Sequence, residues 1–207
     1  MSDIIVLDDL VTPTYQDQIL SRLTSYQFDW HWNPSNVLVD PGHEYDPRLH
    51  LDKNTVDSYQ MTHLFIHENH PDRRDPFQDL ILPMLWTAKD RFGLSGDIIR
   101  CKANLLTNNR NFTEGCYNPA HTDSPDPHFV VVYYVNDSDG DTFIFNEEAE
   151  DGDFDLTIKQ RITPKKGRAV MFNGKYLHAS SNPIKTDARI IINMDFTFPA
   201  TSKKIIL

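Results

Sequence analysis

Apolar residues recur along this chain on two periods. Ile4 to Leu7 is a short apolar run that predicts a strand. Thr12-Pro13 then offers an N-cap followed by proline at the first helical position. Ile19, Leu20, Leu23 and Tyr26 recur at helical spacing, which predicts a helix over 13–27. The aromatic segment from Phe28 to Trp32 has no clear period. Residues 33–58 hold prolines, Gly42 and many Asp and Asn, and read as a long irregular segment. Tyr59 to Ile66 has strand character. Asp75-Pro76 repeats the cap-and-proline start, and Phe77, Leu80, Ile81, Met84, Leu85, Ala88 and Phe92 follow on one helical face as far as Gly93, a C-cap residue. Pro83 lies inside that pattern and should kink it or be absorbed by packing.

After Gly96 the texture changes. The runs 98–106, 129–135, 142–145, 155–162, 168–172 and 189–198 are short and rich in β-branched and aromatic residues. Turn clusters at 108–109, 136–140, 165–167 and 180–187 separate them. Short strands at this spacing predict an antiparallel sandwich or barrel. The fold class expected is therefore α+β, with two early helices supporting a β-rich half.

The 207 residues fit one domain with an ordinary core. Hydrophobic residues make up 39% and charged residues 24%, as in soluble globular proteins. No apolar run approaches the ~20 residues that span a bilayer, and the first residues carry acids where a secretory signal carries bases. A cytoplasmic protein without membrane partners is expected. The net charge of −10 repels phosphate backbones and argues against nucleic-acid partners, demethylation of nucleic acid included. It favours a basic partner, if it favours any. Lys165, Lys166 and Arg168 read as a solvated edge. Cys101 and Cys116 are not in a CxxC pair and are expected to be free thiols.

The candidate chemistry begins at His121-Thr122-Asp123. Positions i and i+2 of an extended segment face the same way, so one imidazole and one carboxylate can meet one ion. His178 is the candidate third ligand, placed in the turn-rich stretch 173–181. Two histidines and a carboxylate on one face of an octahedron leave three positions open, the arrangement of non-haem Fe(II) oxygenases. Alone, such a tripeptide is far more often a coincidence than a metal site. Arg189 opens the otherwise apolar run to Phe196. Buried there it would need an anion; at an edge it would only snorkel. Tyr134 shares a face with Val130 and Val132 and needs a partner for its hydroxyl, whether a ligand or the backbone.

His121-Thr122-Asp123, the run Val130 to Asn136, Gly140 to Phe145, Pro164 to Phe172, His178 and Arg189 occur in an order and spacing that resemble the 2-oxoglutarate/Fe(II) dioxygenases, and most closely their prolyl-4-hydroxylase-like branch. The resemblance covers about 98–198. It implies a double-stranded β-helix core over 98–200, with 1–97 as helical support, packed on the major sheet, and lid. It implies His121, Asp123 and His178 as iron ligands, with Arg189 and Tyr134 on the distal carboxylate of 2-oxoglutarate. Family members often carry two glycines where this chain has Asp139-Gly140, a change expected only to loosen the turn. A tyrosine that often faces the 1-carboxylate is replaced, in the nearest register, by Asn104.

The implied activity is 2-oxoglutarate- and O2-dependent hydroxylation of a C–H bond, most naturally in a prolyl residue of a peptide or protein, or in a free small molecule. Succinate and CO2 would be released, and ascorbate would serve as reductant. The competing reading is a metal-containing, non-catalytic binding module of the same fold. The segments 108–119 and 30–57 are the expected walls and lid. Trp30 and Trp32 are expected to pack rather than to stack on substrate. His63, His67 and His70 fall at metal-binding spacing only on a helix, and a strand is expected there. The sequence does not speak to oligomeric state.

Overall fold

A computed structural model describes residues 4–37, 49–69, 74–148 and 155–198. The elements in chain order are β1 (Ile4–Leu7), α1 (Pro13–Leu23), β2 (His31–Asn33), β3 (Leu49–His50), β4 (Gln60–His67), α2 (Gln78–Phe92), β5 (Ile98–Thr107), β6 (Ala120–His121), β7 (His128–Tyr134), β8 (Thr142–Glu148), β9 (Ile158–Ile162), β10 (Ala169–Asn173), β11 (Tyr176–Ser180) and β12 (Ala188–Thr197). The strands form a seven-stranded sheet ordered β1-β10-β7-β12-β5-β4-β2 and a five-stranded sheet ordered β3-β6-β11-β8-β9. All pairings between these strands are antiparallel. This is the jelly-roll architecture of a double-stranded β-helix with two helices, as expected.

Alternation within single strands explains how the layers meet. In β7, Val130, Val132 and Tyr134 turn inward and pack with Ile144 of β8, Phe172 of β10, Tyr176 of β11 and Ile191 of β12. Val131 and Tyr133 turn outward and meet Leu23 of α1 and Ile81, Met84, Leu85 and Ala88 of α2. The helices therefore cover the outer face of the seven-stranded sheet. Outside the smaller sheet, Tyr117 packs on Phe143 and Phe145, whose ring centroids lie 5.2 and 5.1 Å away.

Helix boundaries follow the local chemistry. Pro13 starts α1 where its missing N–H costs nothing. The helix ends at Leu23, not 27, because the chain turns at Ser25 and Phe28 N–H donates to the Ser25 carbonyl. The second helix begins two residues beyond Pro76. The Asp75 carboxylate accepts from Phe77 N–H at 2.8 Å and the Asp75 carbonyl from Gln78 N–H, forming the entry turn. Gly93 closes α2 in the left-handed conformation, φ 69°, which glycine adopts without a Cβ penalty. Pro83 is absorbed inside it.

Several expectations need correction. Residues 176–180, read as turn-rich, form β11, and His178 lies within it. Its first four residues are buried, so no polar alternation betrays the strand. Lys165, Lys166 and Arg168 stand at the surface, as expected, and there pair with Asp8 and Asp17, tying the start of the chain to the turn before β10. Asp139 tightens its turn rather than loosening it. Its carboxylate accepts from the N–H groups of Ile184, Lys185 and Thr186 and from the Thr186 hydroxyl, fixing the loop ahead of β12. Cys101 and Cys116 are unpaired thiols, as expected. Trp30 packs on Phe28 and donates to the Leu23 carbonyl, whereas Trp32 is exposed. His63 and His67 lie on β4, a strand as expected, and His70 lies outside the described residues. No helix among the described residues is long and apolar enough to cross a membrane.

Candidate metal centre and anion pocket

His121 of β6 and His178 of β11 are direct cross-strand partners. Their ring centroids stand 4.8 Å apart. Each Nδ1 faces a backbone carbonyl two residues earlier, Pro119 at 3.0 Å for His121 and Tyr176 at 3.2 Å for His178. A carbonyl only accepts, so Nδ1 carries the proton in each ring and the Nε2 lone pair is left for a ligand. Burial, with His178 beside it, lowers the His121 pKa to about 4, which keeps that ring neutral.

Asp123 lies two residues beyond β6. One donor atom from each of His121, Asp123 and His178 falls within 4.8 Å of the others. Burial alone would raise the Asp123 carboxyl. The Arg100 guanidinium beside it outweighs this and holds the group well below the carboxylate range. The Arg100 guanidinium reaches Asp123 Oδ1 at 2.5 Å and Asp195 at 2.7 Å. Asn193 Nδ2 donates to Asp123 Oδ2 at 3.1 Å. These contacts orient one carboxylate oxygen toward His178 Nε2, 3.3 Å away. Two imidazoles and one carboxylate are the donor set that suits a divalent iron, and the residues present fit that ion. Asp123, His128 and Asp195 also converge. There the Arg100 guanidinium already bridges the two carboxylates and occupies the place of a cation.

Two connected cavities open beside the triad. The inner one, about 50 Å³, runs from His121, Asp123 and His178 past Asn104 to Thr142 and Arg189. Arg189 is 2% exposed. It donates to the Gly140 carbonyl at 2.8 Å and to Thr142 Oγ1 at 2.7 Å, both neutral, and no carboxylate among the described residues forms an ion pair with it. Tyr134 does not line the cavity; its hydroxyl donates to the same Thr142 oxygen at 2.8 Å. Thr142 thus accepts twice, and its own hydrogen is left to point elsewhere. A Cβ on Gly140 would come within 2.5 Å of the Ser181 carbonyl oxygen and 3.1 Å of Arg189 Cδ, so this arrangement needs glycine. Asn104 lines the inner cavity and donates to Gln60 at 3.0 Å.

The outer cavity, about 330 Å³, is walled by Asn33, Asn36, Gln60, Thr62, Arg100 and Lys102, with His121 and Asp123 at its floor. The segment 30–57 contributes to its wall, as expected, through its described part. The segment 108–119 does not: none of its residues lines either cavity, and Phe112 and Tyr117 are buried elsewhere. Sequence reasoning missed Arg100, Asn193, Thr142, Gln60 and Lys102.

No family model and no curated protein matches this chain. Solved structures do. An oxidoreductase of the 2OG-Fe(II) oxygenase family from Burkholderia pseudomallei superposes with a TM-score of 0.61 at 14% identity, covering 94% of this chain and 85% of that one. A prolyl-4-hydroxylase from Pseudomonas putida gives 0.53 at 13% identity, covering 95% and 93%. The epimerase SnoN, solved in complex with Fe3+, alpha ketoglutarate and nogalamycin RO, gives 0.57 at 10% identity, covering 95% and 79%. Structures of such different activities, at such low identity, establish one thing in common: this chain has the fold of the 2-oxoglutarate/Fe(II) oxygenases.

Proposed function

We propose that the protein is an Fe(II)- and 2-oxoglutarate-dependent oxygenase that hydroxylates a C–H bond, of a prolyl residue in a peptide or protein or of a free small molecule. The observation that carries this reading is the joining of two sites by one cavity. At one end stand two imidazoles and a carboxylate; at the other a buried arginine has only neutral partners. A purely structural metal has no use for an anion clamp. Structures whose names include 2OG-Fe(II) oxygenase and prolyl-4-hydroxylase share the fold, which adds support.

His121, Asp123 and His178 would hold the ion. Arg189 would meet the distal carboxylate of 2-oxoglutarate as a charge-assisted pair, and the free Thr142 hydrogen would donate to the same group. Tyr134 would act through Thr142 rather than by direct contact. Asn104, with Gln60, would line the middle of the bound cosubstrate. When bound, iron with 2-oxoglutarate and O2 supplies the oxidising power that breaks the C–H bond, with succinate and CO2 as by-products. The buried walls keep water from this chemistry.

Purified protein with Fe(II), ascorbate as reductant and 2-oxoglutarate should form succinate, read by NMR. His121→Ala and Asp123→Ala should abolish it. Persistent turnover in both variants would sink the assignment. Tightly held zinc with no 2-oxoglutarate turnover would favour the non-catalytic binding module instead.

A further inference from the structure

Lys102 is the one cation of the outer cavity that its neighbours leave uncommitted. Arg100 is already paired through Nη2 with both Asp123 and Asp195. Lys102 lines both cavities, yet forms no hydrogen bond or ion pair with any described residue. Its neighbours on the outer wall include the neutral Asn33, Asn36, Gln60 and Thr62, and the charged groups around it are Arg100, Asp123 and Asp195. None of them accepts a hydrogen bond from the ammonium, and unmet donors in a half-buried pocket are costly unless an acceptor visits them.

Register separates Lys102 from the other anion clamp. Along the β5–β12 ladder, Leu106 pairs with Arg189 and Lys102 with Asn193. At ~3.4 Å per residue, the two levels lie about 13 Å apart along the strand. Arg189 does not reach the outer cavity, and Lys102 does.

We infer that the outer cavity takes a small molecule carrying one carboxylate, which Lys102 binds while the surrounding amides hold the rest. This rests on the oxygenase reading and selects between its two substrate classes. Among the described residues Lys102 is the cation there with no carboxylate hydrogen-bonded to it, which suits a single carboxylate; a phosphate dianion would want a second such base. A cavity of about 330 Å³ is at the lower end of small-molecule sites. The whole chain carries −10, yet the side chain this cavity leaves free to bind is a cation. The basic partner that the global charge favours is therefore not what this pocket recognises.

The test is ligand-observed NMR on the full chain, with Zn(II) and saturating 2-oxoglutarate and again without either. The probes are small carboxylic acids and the primary amides of the same acids, N-acetylproline and N-acetylprolinamide among them. Acids should bind about tenfold or more tightly than their amides, as expected for loss of a charge-assisted bond. Lys102→Met should erase that preference and Lys102→Arg should keep it, with 2-oxoglutarate affinity unchanged in both. Should the Met variant fail to fold, Lys102→Gln replaces it, and the acid–amide comparison on the unaltered chain decides without any variant. Equal binding of acids and amides, or binding of neither, overturns the inference. So does a Lys102→Met chain that loses 2-oxoglutarate itself, because the lysine would then serve the cosubstrate. If the chain takes up neither Zn(II) nor 2-oxoglutarate, the oxygenase reading falls, while the metal-free comparison still decides the carboxylate site.

Discussion

At the scale of single residues, the site depends on side chains that touch no ligand. Arg100 is the clearest. It bridges two carboxylates that are each 3% exposed, so Arg100→Met leaves two buried anions facing one another. We expect this variant to bind Mn(II) ~10- to 100-fold more weakly, as for loss of other outer partners of metal ligands. Isothermal titration would measure it, and unchanged affinity would show that Asp123 orients itself. The sequence hid Arg100 for a physical reason. Arg100, Lys102 and Asn104 alternate with Cys101, Ala103 and Leu105, the pattern of a strand with one wet face. The pattern is real, but that face is turned to a lined cavity between the sheets rather than to solvent. Polarity alone does not distinguish the two. His121, Asp123 and Arg189 were legible because their chemistry is unusual for their setting. Lys102 looks ordinary until its neighbours are known.

At the scale of elements, short pieces carry the site. β6 has two residues and β11 five, too few for a period to show, yet they hold both histidines. The longer strands β5, β7 and β12 were readable because β-branched and other apolar residues run through them between turn clusters. The loop before β12 is fixed by Asp139, and its stability should depend on pH in a defined way. Burial would raise the Asp139 carboxyl, but hydrogen bonds from Thr186 and its neighbours outweigh it and lower the pKa to about 2. The folded value lies below the unfolded one, so the contribution is full above the usual carboxylate pKa and is lost as pH falls toward 2. Asp139→Ala should therefore lower thermal stability at pH 7 and weaken 2-oxoglutarate binding through Arg189, with the stability gap closing in acid. A gap that does not change with pH would count against this account. At the start of α2, Asp75 caps the entry turn and receives His63 Nε2 at 3.0 Å, in a pocket formed by Phe28, Phe65 and Phe77. Asp75→Ala leaves that ring without its partner. Denaturant unfolding should show a loss of about 1–3 kcal/mol, the usual result of orphaning a buried polar group.

At the scale of the whole molecule, the metal centre sits where the two sheets meet. His121 and His178 belong to the five-stranded sheet. Asp123 is held by Arg100 and Asn193, which belong to the seven-stranded one. An ion bound by all three would fasten one sheet to the other. Mn(II) at a hundredfold excess over its dissociation constant should stabilise the protein by about 2.7 kcal/mol and raise its melting temperature accordingly. His121→Ala should abolish the rise. A melting temperature indifferent to metal in the unaltered chain would show that the triad binds none.

The pairing of β6 with β11 also bears on how the protein matures. Its two histidines lie far apart in the chain and meet only across that ladder. β11 in turn reaches its place by pairing with β8. During synthesis, a chain released as far as Asp123 owns two ligands and no site. On the proposed reading, loading with iron would have to wait until almost the whole barrel has closed. That order would protect the cell as well as the protein, since a redox-active ion would be taken up only once the walls that confine its chemistry are standing.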